Sequence, residues 1–120
     1  MAEYRIVLRG VPLLSANGRD HWAKRNRTSR AIKQATGWLA KQQRIPRLAR
    51  VEITGVYHPR RTGRVDGENW APTAKAATDG LVAVGVLPDD SSTYVVETRL
   101  RVGDPMPGGA YELVIREVAP

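Results

Sequence analysis

The chain has 120 residues and a formal net charge of +7, enough for one domain with a core and too few for two comfortable ones. No stretch approaches the roughly 20 apolar residues of a membrane-spanning helix, so the expectation is a protein with no membrane partner. The absence of cysteine excludes disulfides and thiolate zinc sites, and an intracellular, cytoplasmic protein is the natural reading.

The opening "YRIVLR" alternates, with Tyr4, Ile6 and Leu8 on one face and Arg5, Val7 and Arg9 on the other, which predicts a half-buried strand rather than a signal peptide. "GVPLLSANGRDHW" is rich in turn formers and predicts a loop. Thr28 and Ser29 are candidate caps for a helix running towards Gln43, with Ile32, Ala35, Trp38 and Leu39 as its apolar stripe and Pro46 as its stop. Lys33, Lys41 and Arg44 lie off that stripe and give the helix a basic face.

"VEITGVYH" predicts a second strand, with Val51, Ile53 and Tyr57 facing one way. After the basic turn "HPRRTGR", Pro72 suits the first turn of a second helix that begins near Asn69 or Trp70. Ala74, Ala77, Leu81 and Val82 form its packing face, and Gly85 fits the left-handed position at its end. Gly80 inside that helix costs roughly 1 kcal/mol relative to Ala, so something beyond propensity must hold the turn. "STYVVETRLRV" and "AYELVIREV", joined by "GDPMPGG", read as a hairpin. The order β-α-β-α-β-β predicts a single α/β (α+β) domain over 1–120, a mixed sheet with two helices packed on it.

Charge is divided unevenly. Residues 1–64 hold fifteen Lys and Arg against three Asp and Glu, whereas residues 65–120 hold four against nine. A basic half attracts polyanions and an acidic half attracts cations.

Four acids, Asp66, Glu68, Asp89 and Asp90, bracket the second helix and its Lys75. One reading is local: Asp-Gly is a favoured turn dipeptide, Asn69 a helix cap, and "LPDD" a loop after a helix. The other is a metal site. If the segment before the helix is extended, positions 66 and 68 point the same way, and Asp89–Asp90 are carried back beside them. Two like charges about 4 Å apart repel by ~1 kcal/mol in water and ~4 at an effective dielectric near 20; a divalent cation reverses that sign. Oxygen ligands without cysteine favour Mg²⁺, with Mn²⁺ able to substitute, over zinc. His21 and His58 lack the paired spacing of a zinc helix and read as surface or loop residues. An acidic metal site beside a basic surface is what phosphodiester cleavage requires. Lys75 adds a positive charge for the phosphate, or else simply pairs with Asp79 at i+4.

"RVDGENWAPTAKAATDGLVAVGVLPDD" resembles the signature of RusA-type Holliday-junction resolvases: Asp-x-Asp-Asn, a helix with Lys-Ala-x-x-Asp-x-Leu, then Gly and a terminal Asp-Asp. "PLLSANGRDHW" is similar to the family's Pro-x-Ser-x-Asn segment. The resemblance implies a RusA-like fold, metal binding by Asp66, Glu68 and Asp90 with Asp89 beside them, a catalytic Lys75, and a role for Asn17. It also implies a homodimer that binds four-way DNA junctions and makes paired symmetric nicks with Mg²⁺, in a bacterial or phage-infected cell. Two departures stand out: Glu68 replaces an aspartate, and "WAPT" lengthens the interval to Lys75 by about three residues.

Given that resemblance, Lys24, Arg25, Arg27, Arg30 and Lys33, with Arg60, Arg61 and Arg64, are the candidate phosphate contacts, salt-dependent and blind to base sequence. Trp22 and Trp70 either stack on a splayed base or pack in a core or interface. Two rivals remain: a non-catalytic branched-DNA binder that keeps the fold, and a small basic interaction domain using its acids structurally.

Overall fold

A computed structural model of the chain describes residues 2–19 and 21–119; Asp20, within the expected loop, lies outside them. The alternation of the opening stretch is realised in β1 (Glu3–Leu8), where Ile6 and Leu8 are buried and Arg5 and Val7 are exposed. β2 (Val51–His58) buries Val51, Ile53 and Gly55 on the same side. β3 (Val95–Val102) and β4 (Ala110–Glu117) complete a four-stranded mixed sheet of order β1-β4-β2-β3. β4 runs antiparallel to both β1 and β2, and β3 runs parallel to β2 at the sheet edge. Two helices, α1 (Trp22–Gln42) and α2 (Ala71–Ala83), pack on the face that presents Ile6, Leu8, Ile53, Leu113 and Ile115. The expected single domain of mixed sheet and two helices is present.

The expected hairpin is not. β3 and β4 flank β2 instead of pairing with each other. The connection at residues 103–109 arches over the end of β2, with Gly103 N donating to Tyr57 O at 2.9 Å, Met106 N to Pro59 O at 2.9 Å, and the His58 ring bonded through Nδ1 to Asp104 O at 2.8 Å. A central strand therefore satisfies its hydrogen bonds on both sides, which a local hairpin would have denied it.

α1 also departs from expectation. It begins at Trp22, not near Thr28 or Ser29, because the His21 imidazole accepts from Ala23 N at 3.1 Å and caps the first turn. Its buried positions are Ile32, Thr36, Gly37 and Ala40, and Trp38 is 61% exposed instead of lying on the apolar stripe. The cause is the close approach of α1 to α2 at two glycines. A Cβ on Gly80 would run into the Lys33 carbonyl and lie 3.0 Å from Thr36 Cβ; one on Gly37 would lie 2.9 Å from Val84 Cγ1. α1 turns its Gly37 side to α2, and Trp38, about 100° further round the helix, faces away from that contact. The same contact accounts for the glycine inside α2.

α1 ends as the chain turns through Arg44, whose φ of 56° takes the left-handed role usually given to glycine. α2 ends with Gly85 at φ 84°, as its sequence predicts.

Candidate metal and phosphate site

The acids before α2 are not on an extended strand. Asp66 is extended, but Gly67–Trp70 forms a single 3₁₀ turn that Asp66 caps, its carboxylate accepting from Glu68 N at 3.1 Å. The period-two expectation for positions 66 and 68 therefore fails, because a 3₁₀ turn advances about 120° per residue. Both side chains are exposed. The turn is held against β3, where a Cβ on Gly67 would lie 3.3 Å from the Leu100 carbonyl and from the Arg101 backbone.

α2 starts where this turn stops and presents Lys75 to solvent. The ammonium donates to Asp79 at 2.7 Å and also to Asp90, fifteen residues on. The expected i+4 helix pair is made, and the same ammonium also reaches the terminal acid pair. These bonds raise the Lys75 pKa, the Asp79 bond most, and the bond from Lys75 lowers that of Asp90. Asp89 accepts the Asp90 backbone N–H at 2.8 Å, a local turn bond that orients the pair.

Lys75 and Asp90 border a cleft of about 160 Å³ between α2 and β3, which Ala71, Thr78, Val95 and Leu100 also line. Ala71 and Leu100 adjoin the 3₁₀ turn, so the turn bearing Asp66 and Glu68 stands beside this cleft. Among the described residues no three His, Asp or Glu side chains are grouped closely enough to hold a metal ion. The donor chemistry of the acids nevertheless fits Mg²⁺, since all are hard carboxylate oxygens.

The segment carrying Asn17 reaches the same region, by contacts that sequence reasoning missed. Thr73, fully buried in the first turn of α2, accepts from Leu14 N and donates to Leu14 O, both at 2.8 Å. Ala16 N donates to Asn69 O at 2.7 Å. Asn17 itself is exposed, its backbone N–H bonded to Ser15 Oγ at 3.1 Å.

Arg25, expected among the phosphate contacts, is instead half-buried. Its guanidinium donates to Ser15 O at 3.0 Å and Gly18 O at 3.4 Å, so it braces this loop. Lys24, Arg27, Arg30 and Lys33 are exposed along α1, and Arg60, Arg61 and Arg64 are exposed in the turn before the acids. Trp70 stacks on Tyr57 with ring centroids 4.1 Å apart, a packing role, whereas Trp22 is 69% exposed.

Compared with known proteins, the chain matches no family model and no curated sequence. No helix among the described residues is long and apolar enough to cross a membrane.

Proposed function

We propose that this protein is a Mg²⁺-dependent, structure-selective DNA endonuclease that resolves four-way junctions as a homodimer, in the manner of the RusA-type resolvases its acidic signature resembles. The observation that carries the reading is the Lys75–Asp90 pair beside the 3₁₀ turn of Asp66 and Glu68. Of the signature's residues, Lys75 and Asp90 line the cleft, and the turn that carries Asp66 and Glu68 adjoins it. Asp66, Glu68 and Asp90 would hold the metal, with Asp89 adjoining. A bound divalent ion supplies a water of lowered pKa and stabilises charge on the phosphate. Lys75 holds a positive charge at the cleft mouth, where it neutralises a phosphate oxygen. Arg60, Arg61 and Arg64, just before the acids, and the exposed cations of α1 position the DNA backbone. A two-fold dimer supplies the second nick.

The second reading, a branched-DNA binder without catalysis, is favoured by one feature: Lys75 occupies Asp90 while the Asp66 carboxylate caps its own turn. Incubating a labelled synthetic four-way junction with Mg²⁺, Mn²⁺, Ca²⁺ or EDTA separates the two, with linear duplex and Asp90→Asn protein as controls. Paired symmetric nicks with Mg²⁺ or Mn²⁺, lost in the variant, are expected. Retarded junction without nicks in any metal would overturn the nuclease in favour of the binder.

A further inference from the structure

On the other flank of α2, away from the Lys75 cleft, α1 and the end of α2 enclose an open groove of about 290 Å³. Gly37 and Val84 form its floor, Trp38 one wall, and Lys33, Gln34 and Lys41 its rim. The indole of Trp38 is 61% exposed although it sits on the helix that supplies much of the core. We propose that this groove binds single-stranded nucleic acid, with Trp38 stacking on an unpaired base and Lys33 and Lys41 contacting the flanking phosphates.

Charge complementarity selects that occupant. α1 carries six Lys and Arg (Lys24, Arg25, Arg27, Arg30, Lys33 and Lys41) and no acid in its 21 residues. Arg30, Lys33, Trp38 and Lys41 form an exposed stripe on one side of α1, at successive spacings of three, five and three residues. Neither Lys33 nor Lys41 forms an ion pair among the described residues. The helix-free face of the sheet is different. There Arg5 pairs with Glu112 at 2.6 Å, Arg116 with Glu52 at 3.1 Å and Arg99 with Glu97 at 2.9 Å. On that face acids pair with most of the arginines, whereas among the described residues no ion pair compensates Lys33 or Lys41 on α1.

An exposed aromatic between uncompensated cations is the arrangement that holds single strands, since every base has a face to stack and every linkage a charge. A duplex, whose bases already stack on each other, cannot use the ring. The inference does not depend on metal chemistry: it requires neither Asp66 nor Asp90.

The test is fluorescence anisotropy of a short labelled oligo(dT) with the full chain, titrated at several salt concentrations. Trp38→Ala is expected to weaken binding between about five- and 150-fold, and Trp38→Phe to keep most of it. Lys33→Gln with Lys41→Gln is expected to lower the slope of log affinity against log salt by about 1.4, two single-strand contacts' worth. Because the Trp38 side chain is exposed, the unfolding midpoint of Trp38→Ala should match wild type, which separates lost binding from lost folding. Unchanged oligo(dT) affinity in Trp38→Ala would overturn the proposal. So would a shift of that variant from dimer to monomer in sedimentation equilibrium with no loss of affinity, because the groove would then belong to a second copy. Asp90→Asn protein is expected to bind oligo(dT) like wild type, so the failure of junction cleavage and the failure of this groove are read separately.

Discussion

Lys75 on α2 and Asp90 beyond its end form an ion pair at the mouth of the α2–β3 cleft, and the same ammonium holds Asp79. The pair has a pH signature. Its carboxyl is held below the usual range by the Lys75 bond, so its contribution to stability is present above the ordinary carboxylate pKa and disappears as pH falls through the folded value. Lys75 is shifted upward, so its contribution is present below the ordinary lysine pKa and disappears as pH rises through the folded value. The side chains are well exposed, and such pairs are worth about 0.2–1 kcal/mol. Lys75→Met should therefore cost little stability while moving the Asp90 carboxyl back up towards the ordinary carboxylate range, as read by NMR titration. An Asp90 titration unmoved by the substitution would show that the pair does not form in solution.

If the pair belongs to a nuclease centre, the same substitution has a second consequence. Removing one preorganised charge-stabilising donor typically lowers turnover by about 10²–10³-fold. Lys75→Met is expected to lose junction nicking on that scale in single-turnover assays while retaining junction binding. Nicking at the wild-type rate would remove Lys75 from the chemistry.

Thr73 predicts a different pattern. Its hydroxyl bonds both backbone groups of Leu14 and thereby ties the Asn17 loop to the first turn of α2. Thr73→Val keeps the shape but strands a partly buried amide and carbonyl, at a cost of about 1 kcal/mol or more. Thr73→Ser restores the hydroxyl and should recover most of that. Urea unfolding of the two variants checks the difference; equal stabilities would mean that the loop is held by other contacts.

Much of this architecture is legible in the residues, and the failures share a cause. β1 and β2 alternate cleanly because each shows one face to the core, and Pro72 and Gly85 mark α2 because φ is restricted at one end and must be positive at the other. What could not be read locally depends on partners distant in sequence. His21 caps α1 although Ser, Thr, Asp and Asn are the usual signals. β4 inserts between β1 and β2, so the sequence neighbours β3 and β4 never pair. At the candidate site, the Lys75–Asp79 pair follows from i+4 spacing, whereas Asp90 joins it only through the return of the chain. Thr73 gives no sequence signal at all, since its partner lies 59 residues away.

Gly80 supplies a prediction in which propensity and packing oppose each other. In an isolated helix Gly→Ala gains up to about 1 kcal/mol. Here the added methyl would strike the Lys33 backbone carbonyl, which cannot rotate aside as a side chain would. Gly80→Ala should be destabilised by about 1–3 kcal/mol, the usual cost of overpacking. A rise in unfolding midpoint would mean that the two helices are further apart than the glycines imply.

Tyr111 offers the converse, a substitution that should stabilise. The residue is 1% exposed, and its hydroxyl has no hydrogen-bond partner among the described residues. It lies over Gly55, where a Cβ would collide with the hydroxyl oxygen; the missing side chain on β2 is what leaves room for the ring. An unpaired buried hydroxyl costs about 1–3 kcal/mol, so Tyr111→Phe is expected to gain stability on that scale. Burial also raises the phenol's pKa above its ordinary value. The folded state then keeps its proton where the unfolded chain releases it, and stability falls as pH rises beyond about 10, the unfolded tyrosine value. Tyr111→Phe should show a shallower alkaline loss as well as a higher midpoint at neutral pH, both read from denaturant unfolding between neutral and alkaline pH. A Phe variant less stable than wild type at neutral pH would mean that the hydroxyl is satisfied in solution, by a trapped water over Gly55.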